Sequence, residues 1–239
     1  MDKYKDIGKG ILLLFVVVFL YAFSSVKSNR LFVESTSITF VGKDHLLISK
    51  DMVNKLLIQN QQAVECMPKD ILDLNVLESK ISSHPMIENA EVYLTVNGEV
   101  RVEVEQLTPL ARVISEPSFY IDSQGKMMPL SPEYSARVVL VHGRVSASNI
   151  GALHQLLQHV KNDDFLNLYV TGIKVNDKDQ FSLLMRTYDF EVVVGPLENL
   201  DEKMRNFKAF YQKAKKDKLL ETYKIVNLQF NRQVVCTKI

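Results

Sequence analysis

The sequence has no tryptophan, only two cysteines among 239 residues, and almost no net charge, since 29 basic side chains stand against 28 acidic ones. Two cysteines cannot staple a fold of this length, so its core must come from apolar burial. The charge balance lacks the basic excess typical of nucleic-acid binders. A hydrophobic content of 46% excludes a disordered tail. The length permits one large domain or two small ones.

The sequence contains a single apolar stretch of membrane-spanning length. Residues 11–23 are uninterrupted hydrophobic side chains, and extension to 7–26 gives 20 residues with Lys9 as the only charge. A helix of that length measures about 30 Å, the thickness of a bilayer core. We predict a cytoplasmic tail at 1–10 and a transmembrane anchor at 11–26, with the apolar span beginning at about residue 7.

A cleaved secretory signal is the alternative for this stretch, with a small-residue cleavage site at 22–24. Bulky Tyr21 and Phe23 around that site favour an uncleaved anchor. Three lysines precede the span, whereas Lys27 and Arg30 follow it, and this weak bias predicts a cytoplasmic amino terminus. Under either interpretation, the remainder of the chain lies outside the cytoplasm.

Residues 35–107 follow the pattern strand, helix, helix, strand, strand. A half-buried strand ends before Gly42, and Ser49 is a good N-cap for the helix that follows. A second helix has Asn75 and Glu78 at capping-box spacing, and Pro85 stops it. This segment is predicted to be a small α+β domain.

The two strands that close this segment alternate apolar and polar residues on either side of Asn97-Gly98. A two-residue loop would place the two valine sets on opposite faces of the sheet. A three-residue loop, 96–98, pairs Leu94 with Val100 and Val92 with Val102, and puts Gly98 in the left-handed position of a G1 bulge. We therefore predict the bulged hairpin.

Residues 108–239 are predicted to form a second, β-rich domain with two helices. Its helices are expected near 150–160 and 200–214, where apolar residues recur at helical spacing. Its strands are expected at 119–122, 138–141, 168–175, 181–185, 190–194, 225–230 and 233–236. The fold class of the whole chain is thus α+β.

The sequence offers almost no candidate chemistry. It has no G-x-S-x-G elbow, P-loop or C-x-x-C motif. His154 and His159 share a predicted helix but point about 140° apart, so they suit no common metal. Asp177 and Asp179 flank Lys178 in an expected turn that has too few oxygens for a calcium loop. We predict no catalytic residue, no cofactor and no metal site.

Two further features have ordinary interpretations. Cys66 and Cys236 fall in different segments, so a disulfide between them is not expected. The basic stretch of the second predicted helix is interpreted as its solvated face, although contact with anionic headgroups or an acidic partner stays open. Its basic residues are Lys203, Arg205, Lys208, Lys213, Lys215, Lys216 and Lys218.

With catalytic, cofactor and metal sites not expected, the sequence favours a binding function. Small mixed domains without catalytic residues suit recognition by strand addition, in which an extended segment of a partner completes an exposed sheet edge. The last strand is the natural candidate, because nothing in the chain follows it to cover it.

With these features the chain resembles the FtsQ/DivIB family of bacterial cell-division proteins. That family has a short cytoplasmic tail, one transmembrane helix, a POTRA domain and a β-rich domain, and the resemblance covers essentially the whole chain. It is carried by five segments in the family's order: 81–92 (ISSHPMIENAEV), 102–111 (VEVEQLTPLA), 120–125 (YIDSQG), 192–195 (VVVG) and 226–230 (VNLQF). Asn227 and Gln229 stand where the family usually has Asp and Arg.

The resemblance implies a POTRA (β-α-α-β-β) domain at 35–107 and a β domain at 108–239. It implies a non-enzymatic divisome scaffold in the inner membrane at the septum, with a single span and most of the chain extracytoplasmic. Its expected partners are short coiled-coil division proteins of the FtsB and FtsL type, and other divisome components through the POTRA domain.

The expected partner-binding residues lie in the terminal strand region: Leu228, Phe230, Arg232, Val234 and Val235. Leu228 and Val234 could equally be core residues, whereas Phe230 and Arg232 are better candidates for the surface. The alternative function is a membrane-anchored POTRA chaperone or assembly factor for envelope proteins. An unrecognised hydrolase is disfavoured by the missing catalytic constellations.

Overall fold

The structure is a computed structural model that describes residues 12–23, 32–42, 47–58, 64, 67–69, 71–230 and 233–239. The chain divides into two compact units, an amino-terminal unit of residues 1–106 and a carboxyl-terminal unit of residues 107–239. The two together are a mixed α+β protein, with helices and strands in both units.

Residues 12–23 form helix α1, whose large apolar side chains are exposed. Among the described residues, no helix combines the length and the apolar character needed to cross a membrane. The predicted tail at 1–10 lies outside those residues, as do both ends of the predicted anchor at 11–26. The anchor therefore stays a prediction.

The described part of the amino-terminal unit follows the predicted order of strand, two helices and two strands. Its elements are β1 (Ser35–Val41), α2 (Lys50–Leu56), α3 (Leu74–Ser82), β2 (Ile87–Leu94) and β3 (Glu99–Gln106). These three strands form a sheet in the order β1-β3-β2, with β1 parallel and β2 antiparallel to β3.

The core of this unit lies between the sheet and the two helices. Val100, Val102 and Val104 of β3 are fully buried, together with Leu77 and Ile81 of α3. Burial of one such side chain contributes about 1.5–3 kcal/mol, so this row of valines is a main source of the unit's stability.

The hairpin between β2 and β3 has the predicted register. Leu94 pairs with Val100 and Val92 pairs with Val102. Thr95 closes a three-residue loop, because its N–H donates to the Glu99 carbonyl at 2.9 Å. Gly98 has a φ of +88°, the left-handed conformation that a residue without Cβ adopts most easily. The prediction of a bulged hairpin is confirmed.

Of the two helix caps predicted for this unit, the cap of α2 is confirmed and the cap of α3 is wrong. Ser49 caps α2, and its hydroxyl accepts a hydrogen bond from the Met52 N–H. The capping box predicted at Asn75 and Glu78 is wrong, because Asp73 caps α3 instead by accepting from the Val76 N–H at 3.1 Å. The Glu78 carboxylate accepts from the Val92 N–H of β2, so it joins helix to sheet.

The described residues of the carboxyl-terminal unit build one nine-stranded mixed sheet. Its strands are β4 (Pro109–Val113), β5 (Phe119–Asp122), β6 (Met127–Met128), β7 (Val139–Gly143), β8 (Val170–Val175), β9 (Phe181–Met185), β10 (Glu191–Gly195), β11 (Tyr223–Asn227) and β12 (Val235–Lys238). Their order across the sheet is β12-β11-β10-β9-β8-β7-β4-β5-β6. The short strands β4 and β6 were not predicted from the sequence.

Two helical crossovers give this sheet two of its three parallel pairs, and the third is β4 with β7. Helices α4 (Ile150–Asn162) and α5 (Asp164–Tyr169) connect β7 to β8, and α6 (Leu200–Lys216) with a short 3-10 helix (Leu220–Thr222) connects β10 to β11. The buried side chains of these helices and strands form one hydrophobic cluster.

Helix α5 is an addition to the two helices predicted for this unit. It occupies residues 168 and 169, which were expected to begin a strand, because Asp163 caps it by accepting from the Phe165 and Leu166 N–H groups at 3.1 Å each. Its aromatic side chains pack on α6, with the rings of Phe165 and Tyr211 5.0 Å apart. Burial, with Tyr169 beside it, raises the pKa of Tyr211 to about 12.

Candidate functional site at the carboxyl-terminal sheet edge

The last strand of the chain lies at an edge of the nine-stranded sheet. The β10-α6-β11 crossover places β11 beside β10, and the chain then turns back so that β12 pairs antiparallel with β11. Within the described residues, β12 has no strand on its other side. The opposite edge is β6, which is only two residues long.

The backbone alternation shows which groups of β12 face the open edge. The Leu228 N–H donates to the Val193 carbonyl of β10 at 2.8 Å, so Leu228 directs its backbone groups toward β10. Because this direction alternates along a strand, Ile225 and Asn227 direct their backbone groups toward β12. Their partners are Thr237 and Val235.

The intervening residues, Cys236 and Lys238, therefore direct their N–H and C=O groups away from β11. The register revealed these two backbone positions, and the sequence pattern alone did not identify them. Such groups are a ready template for an added strand.

The five residues predicted for partner binding fall in different environments. Leu228 is 2% exposed and belongs to the hydrophobic cluster, which agrees with the alternative that it is a core residue. Val234 is half-buried against the same cluster. Phe230 is 52% exposed and Val235 is 42% exposed. Arg232 lies outside the described residues. The exposed apolar side chains of this region are thus Phe230, in the segment between β11 and β12 and near Lys203 of α6, and Val235 of β12 itself.

A local turn connects β11 to the segment that carries Phe230. The Asn227 side-chain oxygen accepts from the Gln229 N–H at 2.9 Å, which is an Asx turn. Gln229 lies over Gly195, where a Cβ atom would approach its Cγ to 2.6 Å and where φ is +68°. The two residues that differ from the family's usual Asp and Arg therefore make neutral contacts with each other and with the end of β10.

Two lysines predicted for the solvated face of α6 are engaged in structure instead. The Lys203 ammonium donates to the Val194 carbonyl at 3.0 Å and also to the Pro196 carbonyl, and burial lowers its pKa. The Lys208 ammonium pairs with the Asp163 carboxylate. The prediction of a fully solvated face was wrong for this pair, because the helix places both stems against neighbouring loops. Exposed cations remain at Arg205, Lys213, Lys215, Lys216 and Lys218.

Cys236 is a free thiol on the core side of β12, opposite the buried Val226. Burial raises the pKa of the Cys236 thiol, so it is protonated at neutral pH and is a poor nucleophile. Cys66 lies outside the described residues, and the expectation about a disulfide is not tested.

Three of the histidines, His84, His154 and His159, make structural contacts. The His154 ring lies 3.0 Å from the Ser123 carbonyl, and His159 lies 3.5 Å from the Asp201 carboxylate. Burial lowers the pKa of His84, whose Nδ1 accepts from the Met86 N–H. Where the structure describes the chain, no three metal-ligating side chains come together. The turn at 176–180 is stabilised by Asn176, whose side-chain oxygen accepts two backbone N–H groups.

Comparison with known families agrees with this architecture. Residues 108–237, more than half of the chain, match the family model described as FtsQ/DivIB, C-terminal related. Residues 41–105 match the model described as POTRA-like domain. No curated protein gave a match. The two family matches confirm the resemblance drawn from the sequence and the POTRA-like nature of the amino-terminal unit.

Proposed function

The chain belongs to the FtsQ/DivIB family, which gives it a role in cell division, and we propose that it is a non-enzymatic divisome scaffold whose β12 edge captures a strand of a partner. The observation that carries this proposal is the open edge of β12, with outward backbone groups at Cys236 and Lys238 and an exposed apolar residue, Phe230, beside it.

The partners we propose are short coiled-coil division proteins of the FtsB and FtsL type. In a coiled coil the apolar residues are buried between its own helices, so they are not available to a third protein. Binding to a third protein therefore needs a segment outside this apolar seam. An extended segment next to the coil can supply it by adding a strand to β12. The main-chain hydrogen bonds would provide affinity, while Phe230 and Val235 would select apolar side chains of the partner.

The β12 edge suits this role better than the β6 edge of the same sheet. Strand β12 has four residues and an adjacent exposed phenylalanine, whereas β6 has only two residues. Each net hydrogen bond contributes about 0.5–1.5 kcal/mol, so a two-residue strand cannot hold a partner segment as strongly.

The proposed location is the inner membrane at the division septum. Under this proposal residues 11–26 anchor the chain as a single span, the amino terminus is cytoplasmic and both folded units are extracytoplasmic. The apolar stretch at 7–26 and the family membership support this arrangement. The POTRA-like unit would recruit other divisome components.

The proposal is tested by substitution of the exposed phenylalanine. Phe230→Glu places a charge where an apolar partner side chain would pack, and we expect pull-down of the FtsB-type and FtsL-type partners to be lost. Met127→Glu is the matched control, because Met127 is similarly exposed, at 54%, on the opposite edge strand. Full retention of partner binding by a folded Phe230→Glu protein would show that the site is misplaced.

A further inference from the structure

A second surface feature lies away from the β12 edge, at the end of the sheet where β4, β7 and β8 begin. There the chain encloses an open cavity of about 410 Å³. The parallel pairing of β4 with β7 and of β7 with β8 brings the amino ends of three strands together. Helix α4 runs back from the other end of β7, so its last turn also reaches this place.

The floor of the cavity is apolar. Leu157 and Val160 of α4 and Val170 at the start of β8 are buried members of the hydrophobic cluster, and all three line the cavity. These three side chains are at most 2% exposed. The apolar area that an aliphatic group can cover comes instead from the half-buried Leu110 and Val139, and its removal from water contributes about 25 cal/mol per Å².

The rim of the cavity is cationic. Arg137, Lys161 and Arg186 contribute to the lining, and none of the lining residues is an aspartate or glutamate. They come from three separate places in the chain: the segment before β7, the last turn of α4 and the end of β9. Three positive charges without a carboxylate among them favour an anionic ligand.

The three cations differ in how they are held. The Arg186 N–H donates to the Tyr169 carbonyl at 2.7 Å, and its Nε donates to the Leu168 carbonyl at 3.0 Å, so the base of this side chain is positioned by backbone. Within the described residues, the side chains of Arg137 and Lys161 have neither a hydrogen-bond nor an ion-pair partner. They are available to a ligand.

The volume limits the size of that ligand. A water molecule in the liquid occupies about 30 Å³, so the cavity has room for roughly a dozen non-hydrogen atoms. This value is within the range of small-molecule sites, which are mostly apolar with a few placed polar groups. An intact lipid with two acyl chains is too large to enter as a whole.

We propose that this cavity binds a small amphipathic anion, a carboxylate joined to an aliphatic chain of medium length. The carboxylate would lie at the cationic rim, where a guanidinium can donate two parallel hydrogen bonds to its two oxygens. The aliphatic chain would lie against the half-buried Leu110 and Val139. This binding function is separate from strand capture at β12.

The test uses octanoate, whose ten non-hydrogen atoms suit the volume, and the full chain in lipid nanodiscs. Equilibrium dialysis with radiolabelled octanoate, after subtraction of empty nanodiscs, should show one saturable site per chain. Octanol, which has the same chain without the charge, should not compete at equal concentration.

Substitution of one arginine of the cationic rim tests the site more directly than the ligand comparison does. Arg137→Gln should weaken octanoate binding about tenfold, the loss expected for one charge-assisted hydrogen bond. Arg144→Gln is the matched control, because Arg144 is also exposed and follows the opposite end of β7. It should leave binding within about twofold. The inference is overturned if the two variants bind octanoate equally, if octanol competes as well as octanoate, or if no saturable site is found.

Discussion

A proline substitution in β12 can distinguish partner binding through the strand backbone from partner binding through side chains. The Cys236 N–H points away from β11, toward the position of an added strand. Cys236→Pro removes that donor and places a ring carbon where the partner backbone would approach. The N–H groups of Val235 and Thr237, which face β11, are untouched, and proline is tolerated on edge strands. The hairpin should therefore persist.

The expected magnitude follows from the lost pairing. One net backbone hydrogen bond contributes about 0.5–1.5 kcal/mol, and the ring prevents close approach over the neighbouring position as well. We expect a loss of at least about 1.4 kcal/mol, which is a tenfold higher Kd. Cys236→Ala is the matched control, since it removes the thiol but keeps the N–H. Its Kd should stay within about threefold of the original value.

The assay is a titration of the full chain with an FtsB-type partner, with near-ultraviolet circular dichroism to confirm that each variant is folded. Lys238→Pro provides a second outward position, in case the first variant disturbs the hairpin. Equal affinity of folded Cys236→Pro and Cys236→Ala proteins, repeated at Lys238, would refute strand addition at this edge.

Further predictions concern stability, measured by urea unfolding of the full chain. Asp163→Ala should destabilise the carboxyl-terminal unit by about 1–2 kcal/mol because it removes a helix cap and the partner of Lys208, whereas Asp163→Asn keeps a cap and should cost less. Burial by itself would raise the pKa of Asp163, but Lys208 and the two cap N–H groups lower it overall. Its contribution is therefore present above the unfolded pKa of about 4 and is lost as the pH falls through the lower folded value, so acid should weaken Asp163→Asn less than the original chain. Gly98→Ala should cost about 1–2 kcal/mol because φ is +88°, while Gly151→Ala, with open space around it in α4, should stabilise by about 0.5–1 kcal/mol. Equal effects of the two glycine substitutions would contradict the assigned hairpin geometry.

The sequence predicted best where local pattern and global fold agree. The β2–β3 hairpin is an example, because the alternation of valines allowed only one loop length that kept them on one face. The helices α4 and α6 were likewise visible from apolar spacing. The two terminal strands were found with displaced bounds: β11 is Tyr223–Asn227 where 225–230 was predicted, and β12 is Val235–Lys238 where 233–236 was predicted.

The sequence failed where tertiary contacts decide the outcome. Helix α5 was missed because it has only six residues, and its stability depends on the packing of Phe165 and Tyr169 on Tyr211 of α6, although Asp163 is a local cap signal. Strand β4 was missed because Pro109 and its short apolar segment were interpreted as a junction, although they pair with β5 and β7. The sequence placed Phe230 and Val235 near an edge, but the outward direction of Cys236 required the pairing register.

The cellular consequence of removing the protein tests the central claim most directly. A cell that depends on this chain as a divisome scaffold should stop dividing when the chain is depleted and should grow into filaments, with division restored by the full chain expressed from a second copy. Normal division after complete depletion would contradict the account, and an envelope-assembly defect without filaments would favour the chaperone alternative.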